Sequence, residues 1–175
     1  MKIVFLFLFT LSFPIVGNAQ TVPLSKIADI VLPAAFKRIP TDRFPAVPSK
    51  DDFSAYSKKF ARGEYFQFEG SNVQIYGFET GLSPKSFEDH VKSSREILAE
   101  QKDTKTYRIA DIRTINNNTI FRLANEGHPK WGSLMVIVQN SSNSKRVHLN
   151  FKYPKSERLK INALAESIVR TIRFK

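Results

Sequence analysis

The sequence predicts an α+β domain: an antiparallel sheet, made of a hairpin and a four-stranded meander, packed against helices in an α/β/α sandwich-like arrangement. Three observations predict it. From Thr104 to Tyr153 the apolar residues recur with period 2, broken by turns rich in Asn, Gly and Ser. Helical spacing flanks this stretch on both sides, at residues 83–98 and 161–172. The chain has no Cys, so a folded domain here must be held by packing alone.

The elements follow in chain order. Lys2 is basic, Ile3 to Val16 run apolar apart from Thr10 and Ser12, and Gly17-Asn18-Ala19 is a small-x-small exit. Residues 1–19 therefore read as a secretory signal peptide, cleaved after Ala19. The apolar run is 14 residues long, short of the ~20 needed to span a bilayer. No second run of that kind follows, so the expected mature chain from Gln20 carries no transmembrane segment. Residues 20–50 contain Pro23, Pro33, Pro40, Pro45 and Pro48 and read as a Pro-rich arm. Within it, Leu24, Ile27, Ala28 and Val31 fit either a short helix behind Ser25 or a short strand. Residues 51–175 read as one globular domain.

That domain opens with an apparent capping box at Ser49–Asp52, followed by Phe53, Tyr56 and Phe60 on one helical face. Glu64–Phe68 and Val73–Phe78 form a hairpin about Gly70. Gly77, inside the second strand, marks a bulge or a close backbone approach. Ser83 and Pro84 open a helix whose stripe is Phe87, Val91, Ser94 and Leu98, with Ile97 beside it. Strands then begin at Tyr107, Ile120, Trp131 and Arg146. The last alternates cleanly, with Val147, Leu149, Phe151 and Tyr153 facing one way and His148, Asn150 and Lys152 the other. After Pro154, a helical stripe of Ile161, Leu164, Ala165, Ile168 and Ile172 closes the sheet's apolar face.

Three features together resemble the PsbP-like family: the order hairpin, helix, four-stranded meander, helix; the segment Asn117-Asn118-Thr119-Ile120-Phe121-Arg122; and the ending Ala165-Glu166-Ser167-Ile168-Val169-Arg170-Thr171-Ile172-Arg173-Phe174. The resemblance covers roughly residues 63–174. It implies an antiparallel sheet between helices, shared by an oxygen-evolving photosystem subunit and a Ran-binding nuclear import factor. It also implies a binding or assembly-accessory role without catalysis, and it supplies no catalytic residues. Fold alone names no partner.

Charge narrows the partner class. The full chain carries a formal +11. Without Lys2, 26 basic against 16 acidic residues leave +10. From Lys145 to Lys175, nine basic residues face only Glu157 and Glu166. A basic surface attracts polyanions. In an exported protein these are anionic lipid, cell-surface polymer or acidic envelope proteins, and not nucleic acid. The candidate binding residues are Lys145, Arg146, Lys152, Lys155, Arg158, Lys160, Arg170 and Arg173. The default explanation of scattered charge is solubility. Trp131, the single Trp, is a candidate aromatic contact, with a core anchor as the simpler reading.

Signatures of chemistry are not found. His90, His128 and His148 have no i+3 or i+4 partner and no HExxH frame, so no metal or cofactor is expected. No Ser stands in a Gly-x-Ser-x-Gly elbow, and seven Gly leave little room for a phosphate loop. Asp51-Asp52 and Glu88-Asp89 sit at expected helix starts, where capping accounts for them. The expectation is a non-enzymatic binding or accessory protein of a bacterial envelope, periplasmic or secreted. The alternatives are a peripheral protein held on anionic lipid or polymer, and an enzyme with a pocket between helix and sheet.

Overall fold

A computed structural model of the chain describes residues 19–40, 63–70, 72–80, 86–100, 108–127, 129–142 and 144–175. Its elements are β1 (Ala19–Pro23), β2 (Ala28–Pro33), β3 (Phe36–Ile39), β4 (Glu64–Phe68), β5 (Gln74–Thr80), α1 (Phe87–Glu100), β6 (Arg108–Ile115), β7 (Asn118–Asn125), β8 (Trp131–Gln139), β9 (Arg146–Pro154), α2 (Arg158–Arg170) and β10 (Arg173–Phe174). A single 3-10 turn, Lys155–Glu157, leads into α2.

The expected α+β sandwich is present. Seven antiparallel strands form the main sheet in the order β3-β4-β5-β9-β8-β7-β6, and β1-β2-β10 form a smaller one. The meander β6 to β9 is continuous, and β9 returns beside β5, so the two expected units merge into one sheet. Asn116 and Asn117 both have positive φ, 50° and 63°. That is the two-residue turn whose twist matches paired strands. Val147, Leu149, Phe151 and Tyr153 are all buried on one face of β9, as the alternation requires.

The main sheet has two covered faces. The inner face lies under α2 and the small sheet. Its core joins Ile75, Val136, Leu149 and Phe151 to Ala28, Ile30 and Leu32 of β2 and to Ile161, Ala165 and Ile168 of α2. The outer face is covered over β6, β7 and β8 by α1, where Phe87 and Val91 pack on Phe121 and Ile137. Gly77 is a close approach: a Cβ there would lie 1.8 Å from Leu24 Cδ1.

Two expectations are corrected and one open choice is settled. The first half of the Pro-rich segment is not an arm but strands β1 to β3, with Leu24, Ala28, Ile30, Leu32 and Phe36 fully buried. Proline does not prevent this, because Pro23 and Pro33 are the last residues of β1 and β2, where a missing N–H breaks little of the ladder. The open choice at residues 24–31 resolves to a strand, since Ala28, Ile30 and Leu32 bury alternately. Helix α1 begins at Phe87 and is capped by Ser86: the Asp89 N–H donates to Ser86 Oγ at 3.1 Å and the Ser86 N–H to Asp89 Oδ2 at 3.2 Å. The expected cap Ser83-Pro84, the signal peptide, the second half of the arm and the helix after Ser49 lie outside the described residues.

Candidate functional site

The eight candidate basic residues divide between the two ends of the sheet. At one end, Lys145 is half-buried and its N–H donates to Asn140 Oδ1 at 2.9 Å. Arg146 is buried; its guanidinium donates to Gln139 Oε1 at 2.9 Å and lies 4.9 Å from the Phe87 ring centre. It belongs to the packing of α1 rather than to a surface. Arg170 pairs with Glu166 at 3.0 Å, one turn back on α2. The Asn116 amide donates to the Arg170 carbonyl at 2.9 Å, which fixes the end of α2 beside the β6–β7 turn. Arg173 is exposed on β10, opposite Asp29 of β2.

The other four converge at the opposite end. Lys152 is exposed near the end of β9, and its ammonium lies 5.2 Å from the Trp131 ring centre. Trp131 pairs with Pro154, and the Lys155 N–H donates to the Lys130 carbonyl at 3.2 Å. Arg158 and Lys160 occupy the first turn of α2. Lys130 therefore joins the group, an addition that the sequence reading placed only in a turn. Trp131 is half-buried, contacting Lys152 at the margin of the sheet rather than anchoring its centre.

The local electrostatics favour an anion. The N-terminal end of a helix carries partial positive charge, yet the first turn of α2 holds no acidic residue. Each added cation there costs about 0.3–1 kcal/mol unless offset. Two carboxylates offset part of it. Glu126, only 3% exposed, accepts from Tyr153 Oη at 3.1 Å and from Arg158 at 3.4 Å. Glu157 pairs with Lys160 at 3.5 Å. Beside these cations stands Leu159, 81% exposed. It is the one large apolar side chain so placed among the described residues. Sequence reasoning missed Leu159 and Glu126. Leu159 lies off the apolar stripe of α2, which was the available signal; nothing in the sequence marks the burial of Glu126.

Two other regions bear on chemistry. An open groove of about 590 Å³ runs between α1 and β6, lined by Glu88, Lys92, Arg95, Glu96 and Asp111 over Val91 and Ile112. Further in, the interface of α1 with the sheet is filled by Phe87, Val91, Phe121 and Ile137. His148 lies on the outer face against the Phe78 ring, 4.9 Å between centres. His128 lies outside the described residues. Among the described residues no group of three or more His, Asp or Glu gathers where it could hold a metal ion.

No family model matches the sequence, and no curated protein matches it. Among solved structures, cyanobacterial PsbP (CyanoP) from Synechocystis sp. PCC 6803 superposes at a TM-score of 0.57 with 11% identity, over 91% of this chain and 95% of that one. The chain has a PsbP-like fold. LpqN of Mycobacterium tuberculosis, involved in cell envelope biogenesis, also shares the PsbP-like fold, at a TM-score of 0.56 and 10% identity, over 90% of this chain and 91% of LpqN. At such identity the likeness is one of fold, and the PsbP-like fold by itself places no partner on the basic end. Among the described residues no helix is long and apolar enough to cross a membrane.

Proposed function

We propose that the chain is an exported, non-enzymatic binding or accessory protein of a bacterial envelope that works at an anionic surface through the end of the sheet carrying Lys130, Trp131, Lys152, Lys155, Arg158 and Lys160. One observation carries this reading: at one end of the sheet Lys152 lies against Trp131, the Lys130 and Lys155 backbones meet beside it, and Arg158 and Lys160 follow at the start of α2, with Leu159 exposed between them. Cations beside a solvent-facing Leu and a rim Trp suit a lipid headgroup region, where charge attracts and a short apolar side chain inserts. Support for export comes from the residues read as a signal peptide, and LpqN, a protein of similar fold, is involved in cell envelope biogenesis. The apolar filling beneath α1 supports a non-enzymatic role.

The test is co-sedimentation of the mature protein with vesicles containing anionic lipid, at low and high salt. Binding should fall steeply as salt screens the charge. It should drop at least several-fold in a Lys152→Glu/Lys155→Glu/Lys160→Glu variant, and less in Leu159→Ser. Charge reversal of Lys145 and Arg173, at the other end, should leave it unchanged. Equal binding to neutral vesicles, or full binding by the triple variant, would overturn the assignment. A parallel pull-down from envelope extract separates a lipid surface from a protein partner that survives high salt.

A further inference from the structure

Strand β6 is the last strand on its side of the main sheet. Its backbone parity follows from the Asn116-Asn117 turn. The flanking pair Ile115 and Asn118 exchanges hydrogen bonds, so Arg113, Asp111 and Ile109 also face β7, while Ala110, Ile112 and Thr114 direct their N–H and C=O groups outward. Among the described residues no backbone group meets these from outside. No residue from Ile109 to Ile115 is fully buried. Long open edges invite a further strand.

The order of residues on this edge says which strand fits. We infer that β6 pairs antiparallel with β6 of a second copy of this chain, about a two-fold axis through Ile112. In that register Ile109 faces Ile115 of the second copy, Ala110 faces Thr114, Asp111 faces Arg113, and Ile112 faces itself. Every cross-strand pair on the inner face is then apolar with apolar or acid with base. The outward-facing residues Ala110, Ile112 and Thr114 become the hydrogen-bonded pairs, as an isologous contact needs. A shift by two residues breaks this. It sets Asp111 against itself or Arg113 against itself, which like charge disfavours.

The side chains at the edge are poised for it. Arg122 already holds Asp111 from the β7 side, at 2.8 and 2.6 Å. Arg113 reaches its own Asp111 only at 3.4 Å and is 44% exposed. In the pair, Asp111 lies between Arg122 of its own copy and Arg113 of the other. The groove between α1 and β6 leaves the edge open on the outer face. Antiparallel pairing points the basic ends of the two copies in opposite directions, so a dimer would bridge two anionic surfaces. The inference does not depend on that reading of the basic end.

The test is the mass of the mature protein in solution by light scattering across a concentration series, with variants that act on the edge alone. The wild type should form a dimer. Thr114→Pro, at an exposed position, removes an outward N–H that the monomer does not use, and Arg113→Asp sets acid against acid. Both should yield monomer with circular dichroism unchanged. Register is read by an Ala110→Cys/Thr114→Cys variant in a chain without native Cys. The two positions lie roughly 13 Å apart along one strand, beyond the ~7 Å reach of a disulfide, so mild oxidation should link two copies only. A wild type that stays monomeric, a dimer that persists in both edge variants, or failure of the double-Cys variant to crosslink would each overturn the inference.

Discussion

The two faces of the main sheet are covered by different means. On the inner face, α2 and the small sheet join strands from both ends of the chain into one continuous core that includes Leu149, Phe151, Ile30, Leu32 and Ile168. On the outer face, a single helix lays Phe87 and Val91 on Phe121 and Ile137, with Ile112, Leu123 and Met135 only partly buried around them. The difference teaches where stability resides. The inner layer is tied by long-range contacts, such as the Val31 N–H donating to Thr171 Oγ1 at 2.9 Å across most of the sequence. The outer layer is a local cover that opens along β6 into a groove. Global unfolding should follow the inner face, and local opening the outer one.

Breaking the inner face should show the largest effect. Phe151→Ala, at 1% exposure, should cost about 3–5 kcal/mol, because the surrounding strands cannot collapse into the cavity. Denaturant unfolding should show a lower midpoint with an unchanged slope. Phe87→Ala on the outer face should cost less, roughly 2–3 kcal/mol, because a one-helix cover relaxes more easily. Hydrogen exchange should then rise in α1 while β8 and β9 stay protected; uniform deprotection would mean the two faces unfold as one. Ser86→Ala removes the cap of α1 and should cost about 1 kcal/mol, again with exchange confined to that helix.

The smallest effect sharpens the comparison at the open margin of the inner face. Burial alone would raise the Asp111 carboxyl, but hydrogen bonds and charge from Arg122, with Arg113 behind, outweigh it and hold the group below its ordinary 3.8. A depressed carboxylate stabilises the fold above its unfolded value, and that contribution is lost as pH falls through the lower folded value. Wild type should therefore lose slightly more stability on acidification than Asp111→Asn. Identical acid titrations of the two proteins would show that the pair contributes nothing at this half-exposed site.

Much of this was legible before any tertiary arrangement was known. The period-2 run of β9, the α2 stripe of Ile161, Ala165 and Ile168, and the Asn turn before β7 are local patterns, so chain order alone specifies them. The PsbP-like layout follows from that order. The strands between Ala19 and Ile39 were less legible, because the prolines suggest interruption and only pairing with β10 and β4 makes those residues strands. The same holds for the site. Composition fixed a basic C-terminal half and the candidate residues, but charge in a sequence carries no direction. Tertiary packing turned Arg146 inward onto Phe87 and brought Lys130, Trp131, Lys152, Lys155, Arg158 and Lys160 to one end of the sheet. Local periodicity determines which elements form. Which charges meet depends on strand register and on where the chain reverses, and those are set by contacts between residues far apart in sequence.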